Sequence, residues 1–212
     1  MNDQFFSKYG DEITFKDLSD LLYKFSQLDC SVPRRDEGRK TDHVERESLK
    51  IYMEQLAKMD KWEYPITVKK RERPDFIISQ DSRPTIGIEQ TEATTNKIQQ
   101  KFAKFERSTL EIFIDYNAPP EFGNREVKTA RSIIDMITKK TLKLNKPNYV
   151  LCDRNELLIY TDMCSKGKED IALEYLYPLY EDSSMHIKYK ILFDSISIIF
   201  KQTLRHNVID YN

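Results

Sequence analysis

The sequence predicts an α/β protein in which a central mixed sheet is flanked by helices. Stretches of helical spacing and short apolar runs follow one another irregularly along the chain, which is neither a regular βαβ series nor strands alone. The 212 residues suit one domain, and 39% hydrophobic against 33% charged residues, with only 5 Gly, describe a globule able to bury a core. Residues 1–40 are expected to form an N-terminal helical extension and residues 41–212 the α/β domain.

Each element has its own signal. TFKDLSDLLYKFSQLD (14–29) carries Phe15, Leu18, Leu22, Phe25 and Leu28 at helical spacing, with Thr14 and Asp17 placed as a capping pair. A polar connector follows. A second helix is expected from Thr41 or Asp42, burying Val44, Leu49, Ile51, Tyr52, Leu56 and Met59. EYPITVKK can hold a short strand. DFIIS (75–79) and TIGIEQTE (85–92) read as strands, and the turn-prone QDSRP between them predicts an antiparallel hairpin. From Asn96 the period is helical, with Ile98, Phe102, Phe105, Leu110 and Phe113 on one side, until APPEFG breaks it. NREVKTARSIIDMITKKTLKL (124–144) is another amphipathic helix, ended by Pro147. YVLC and ELLIYTD around DRN predict a second hairpin. KEDIALEYLYPLYED (168–182) is a helix bent or ended near Pro178. HIKYKILFDSISIIFK (186–201) holds one or two strands interrupted at Phe193-Asp194-Ser195, and the polar tail is expected to fray.

Composition excludes several classes. No apolar run approaches the roughly 20 residues that span a bilayer, and MNDQFFSKYGDE lacks the basic-then-apolar pattern of a signal peptide. No membrane partner is therefore expected. Cys30, Cys152 and Cys164 are odd in number and lack CxxC spacing, which fits free thiols and a cytoplasmic location. The scattered His and Cys argue against a zinc site. The phosphate cradles GxGxxG and GxxxxGK[ST] and the nucleophile elbow GxSxG are missing.

The formal net charge of −1 excludes a uniformly basic nucleic-acid binder. Basic residues nevertheless cluster in RRDEGRK (34–40) and KKRER (69–73). Arg34, Arg35, Lys69, Lys70, Arg71 and Arg73 are the candidates for phosphate contacts, and solvated loops are the simpler reading of both clusters.

The stretch RERPDFIISQDSRPTIGIEQTEAT (71–94) sets acids at the edges of two apolar runs. Asp75 opens the first and Glu89 closes the second. Asp after Pro is common in turns, but Glu within a strand is disfavoured and expensive to bury. A hairpin would bring the two ends together, although counting from the turn leaves the register undecided. Two carboxylates so placed could share a hard divalent cation.

Pro74-Asp75 followed by an apolar strand ending in Glu89 resembles the PD-(D/E)xK nuclease superfamily. The order helix, hairpin, helix, strand across residues 41–160 is similar to that family's core. The resemblance implies a restriction-endonuclease-like fold and metal-dependent endonuclease hydrolysis of DNA phosphodiesters, with Mg²⁺ (or Mn²⁺) held by Asp75 and Glu89. It also implies an acid on the preceding helix, Glu47 first and Glu45 second. The family's lysine, two residues after the Glu, is replaced here by Thr91, which cannot supply a positive charge. Lys97 or Lys101 on the following helix could reach back, or Gln99 or Gln100 could orient the water. The alternative is a catalytically degenerate nuclease-fold module that binds protein or nucleic acid. DNA is the expected partner, and a homodimer is compatible with cutting two strands.

Overall fold

The computed structural model describes residues 11–28, 30, 32, 40–93, 124–164, 167–183, 189–200 and 203–210. Among the described residues seven strands form one mixed sheet in sequence order: β1 (Glu12–Phe15), β2 (Ile66–Lys70), β3 (Phe76–Gln80), β4 (Arg83–Glu92), β5 (Arg154–Thr161), β6 (Ser195–Phe200) and β7 (Thr203–Asp210). Strands β1 to β4 run as an antiparallel meander, β4–β5 and β5–β6 are parallel, and β7 returns antiparallel to β6. Four helices are present among the described residues: α1 (Leu18–Gln27), α2 (Thr41–Lys58), α3 (Asn124–Leu144) and α4 (Glu169–Asp182).

Two apolar clusters lie on the two faces of the sheet. One joins α1 and α2 (Leu21, Phe25, Val44, Leu49, Met53, Leu56) to Val68, Phe76, Ile78, Ile88 and Leu158. The other joins α3 and α4 (Ala130, Ile133, Ile137, Ala172, Leu176) to Leu157, Ile159, Ile196 and Ile198. Neighbouring residues of β5, Leu157 and Leu158, therefore serve opposite layers, as the two-residue period of a strand requires. The result is an α/β protein with helices on both faces of a mixed sheet.

The expected hairpin at 75–92 is present, with Gln80 paired to Arg83 across the turn. Several expectations change. Residues 12–15, expected within a helical extension, form a strand paired with β2, from Glu12 opposite Lys69 to Phe15 opposite Ile66. The helix consequently begins later, at Leu18, and its cap is Asp17, whose side chain accepts the Asp20 N–H at 2.8 Å. That start buries Leu21 and Phe25 and leaves Leu18 and Leu22 exposed, and the rings of Phe15 and Phe25 stack at 5.2 Å. On α2, which starts at Thr41 as expected, Met53 is buried and Met59 is not.

The second predicted hairpin does not form. YVLC lies outside any strand, and ELLIYTD belongs to β5, which pairs in parallel with β4. α4 runs through Pro178 to Asp182. The tail, expected to fray, is the edge strand β7. The helix expected after Asn96 lies outside the described residues. No disulfide joins Cys30, Cys152 or Cys164. No described helix is long and apolar enough to cross a membrane.

Candidate active site

The β3–β4 register positions the acids. Phe76 pairs with Ile88 and Ile77 with Gly87, so one step further back Asp75 stands opposite Glu89. Side chains directly opposite on one face of an antiparallel pair lie roughly 5 Å apart at Cβ. Asp75 is fixed there by the backbone of the facing strand: its Oδ2 accepts the Gln90 N–H at 2.7 Å. The preceding loop closes through the Arg71 N–H, which donates to the Asp75 carbonyl at 2.8 Å. Burial and the neighbouring Glu89 charge push the Asp75 carboxyl up to about 7, against the pull of Lys140 and of the Gln90 hydrogen bond.

Glu89 is completely buried. A lone buried carboxylate would be prohibitive, and three groups compensate it. Lys140 Nζ and Lys143 Nζ of α3 each donate to Oε1 at 2.5 Å, and the Tyr149 hydroxyl donates to Oε2 at 3.2 Å. Lys140 also donates to the Gln90 carbonyl at 2.8 Å. Burial first, and then the nearby carboxylates, raise the Tyr149 hydroxyl well above its ordinary value, so it remains a donor.

The other face of β4 is tied to α2, where Gln90 Nε2 donates to Ser48 Oγ at 3.3 Å. Thr91, at the position the resemblance assigns to a lysine, is half-buried and directs its hydroxyl at Met136 Sδ of α3, 3.7 Å away. Of the α2 acids, it is Glu45 whose charge reaches Asp75, while Glu47 lies half-buried on the same helix. Lys70, expected to meet phosphate, is 3% exposed and faces Asp42 (3.1 Å) and Glu45 (3.3 Å). Its strand position points it into the α2 layer with Val68, which corrects that expectation. Lys69 and Arg71 are exposed and Arg73 is half-exposed, near the end of the sheet that carries Asp75. Arg34, Arg35, Lys97 and Gln99 lie outside the described residues.

Sequence reasoning missed Lys140 and Lys143. Lys140 left a partial signal: Ile133, Ile137, Lys140 and Leu144 fall on one helical stripe, so a lysine interrupts an apolar face, but nothing in the spacing names its partner. Such a lysine needs a buried acid, and Glu89 needed a cation.

The described residues contain no group of three or more His, Cys, Asp or Glu able to hold a metal ion. The donor chemistry here is a pair of opposed carboxylates with a backbone carbonyl beside them. The Glu89 carboxylate and Gln90 carbonyl already hold a cation, the Lys140 ammonium. Hard oxygens of this kind suit Mg²⁺, which takes one or two carboxylates and keeps waters or phosphate oxygens for the rest. No family model, curated protein or solved structure matches the chain.

Proposed function

We propose that this protein is a metal-dependent endonuclease that hydrolyses phosphodiester bonds in DNA, on a restriction-endonuclease-like fold. The observation that carries the reading is the register that sets Asp75 opposite a buried Glu89 served by two lysines. Asp75, Glu89 and the Gln90 carbonyl would hold Mg²⁺ or Mn²⁺. When bound, the ion lowers the pKa of a water and offsets charge on the phosphate.

The rest falls to the chain itself. Lys140 or Lys143, delivered by α3, supplies the positive charge that Thr91 cannot, and orients the attacking water beside Glu89. Asp75, held by the Gln90 N–H, keeps its carboxylate aimed at the same point. Lys69, Arg71 and Arg73 border that end of the sheet and would meet the backbone phosphates of DNA. A second reading, a nuclease-fold module without catalysis, draws on the complete neutralisation of Glu89 by Lys140, Lys143 and Tyr149.

The test is plasmid nicking with Mg²⁺ or Mn²⁺ by wild type, Asp75→Asn and Lys140→Met. The proposal expects metal-dependent cleavage by wild type, lost in Asp75→Asn and reduced at least about a hundredfold in Lys140→Met. Metal binding without cleavage of DNA would favour the non-catalytic module. Cleavage that survives in Asp75→Asn would place the chemistry elsewhere.

A further inference from the structure

A cavity of about 320 Å³ opens on the α2 face of the sheet, toward the β3–β4 turn. It does not include Asp75, Glu89 or the α3 lysines, and its interpretation does not rest on the nuclease reading. Its size falls in the range of small-ligand sites. Three kinds of group converge on it.

The first is a buried acid. Glu156, 4% exposed, accepts the Tyr52 hydroxyl on Oε2 at 2.6 Å, and Arg154 Nε lies 2.7 Å from Oε1. A carboxylate offers about four acceptor positions, so each oxygen retains one. Burial holds this carboxyl above its ordinary value, against the pull of Tyr52 and Arg154. The second is aromatic. Trp62 and His206 each stand edge-to-face with Tyr52 at 6.1 Å. The Trp62 indole N–H is engaged by the Met53 carbonyl at 3.0 Å, so toward the cavity Trp62 offers ring surface only. The third is cationic. Lys61, Arg83 and Arg154 line the cavity, where Arg83 is paired with Glu63 and Arg154 with Glu156, each at 2.7 Å, so three cations face two carboxylates.

A ligand matching all three is planar, anionic, and presents adjacent N–H donors. We propose that the cavity binds a guanine nucleotide, either free or as an unpaired residue of a strand. Guanine is the base whose pairing edge carries two neighbouring donors, N1–H and the N2 amine, and these match the two remaining acceptor positions of Glu156. The ring would lie against Trp62, where base–aromatic stacking is sequence-tolerant. Discrimination therefore falls to Glu156. The phosphate would meet Lys61 and Arg83 at the rim.

The chain has one tryptophan, so its emission reports on this cavity alone. The experiment titrates the full chain with the nucleoside guanosine and with guanosine, adenosine and uridine 5′-monophosphates, and in a second arm with oligothymidylate with and without one central guanine. The expected result is a saturable change in emission with the guanine nucleotide, at least about tenfold tighter than with the others. Glu156→Gln is expected to weaken it about tenfold. Lys61→Ala and Arg83→Ala alter exposed side chains, and should weaken the monophosphate several-fold while leaving guanosine unchanged. The two arms distinguish a free nucleotide from a strand residue, and tight binding in either supports the site. No saturable change in either arm, equal binding of the adenine nucleotide, or rim variants that bind the monophosphate like wild type would overturn it. Asp75→Asn should bind as wild type, which separates this result from that of the cleavage test.

Discussion

Replacing Asp75 by Asn keeps the side chain's shape and an oxygen for the Gln90 N–H, but removes the charge that burial and Glu89 disfavour. In the folded chain that carboxyl is held at about 7 rather than 3.8. The sign follows from proton binding. Between those values the unfolded chain has released the proton and the folded chain retains it, so stability falls as pH rises through this window and levels off above it. Each pH unit corresponds to about 1.4 kcal/mol, which sets a ceiling of about 4 kcal/mol. Asp75 is half-buried, and solvent relaxation brings the expected loss to about 1–3 kcal/mol. Urea unfolding of wild type and Asp75→Asn from pH 4 to 8 gives the difference directly, cancelling the titration of Glu156 and every other shared group. Without metal, the variant should gain on wild type by that amount across the window. Added Mg²⁺ should then stabilise wild type above pH 7 and leave the variant unmoved, because a ligand stabilises only the form it binds. A difference that stays flat with pH, or equal stabilisation of both proteins by Mg²⁺, would refute the idea that Asp75 and Glu89 form one electrostatic unit.

Three further outcomes follow from the packing. Lys140→Met leaves Glu89 with Lys143 and Tyr149 and should cost about 1–2 kcal/mol, whereas Lys140→Met with Lys143→Met should cost about 3–5 kcal/mol, partly recovered by Glu89→Gln in the same chain; denaturant midpoints check this. A Cβ at Gly87 would stand 2.9 Å from Cys152 Sγ and 3.1 Å from Pro74 Cγ, so Gly87→Ala should destabilise by about 1–3 kcal/mol, and Cys152→Ala should relieve part of that loss in a double-mutant cycle. Asp17→Ala removes the α1 cap and should lower stability by about 1 kcal/mol, while Asp17→Asn should not.

What the sequence disclosed divides by range of interaction. The β3–β4 hairpin was legible because its apolar runs and its turn are neighbours in the chain. α2 and α3 were legible because an apolar face repeats over several turns. β1 was not, since its four residues become a strand only by pairing with β2, some fifty residues on. β5 was read as half of a hairpin because DRN resembles a turn. Its unbroken LLIY run was instead the mark of a strand covered on both faces, as parallel strands are. The polar β7 gave no alternation strong enough to announce an edge strand. Within the site, Asp75 and Glu89 were visible as acids at strand edges. Their lysines were hidden because no rule of spacing connects residue 89 to residues 140 and 143, and only the burial of Glu89 makes the connection necessary.

The meander of β1 to β4 is complete by Glu92, whereas the helix that covers its Glu89 side lies at 124–144. Until α3 docks, Glu89 can remain hydrated, so the work of dehydrating it falls to the docking of α3, and a docking that follows the transition state has a kinetic signature. Lys140→Met should accordingly accelerate unfolding while refolding from denaturant keeps close to the wild-type rate. A chevron showing the reverse would mean that the helix arrives before the meander has closed.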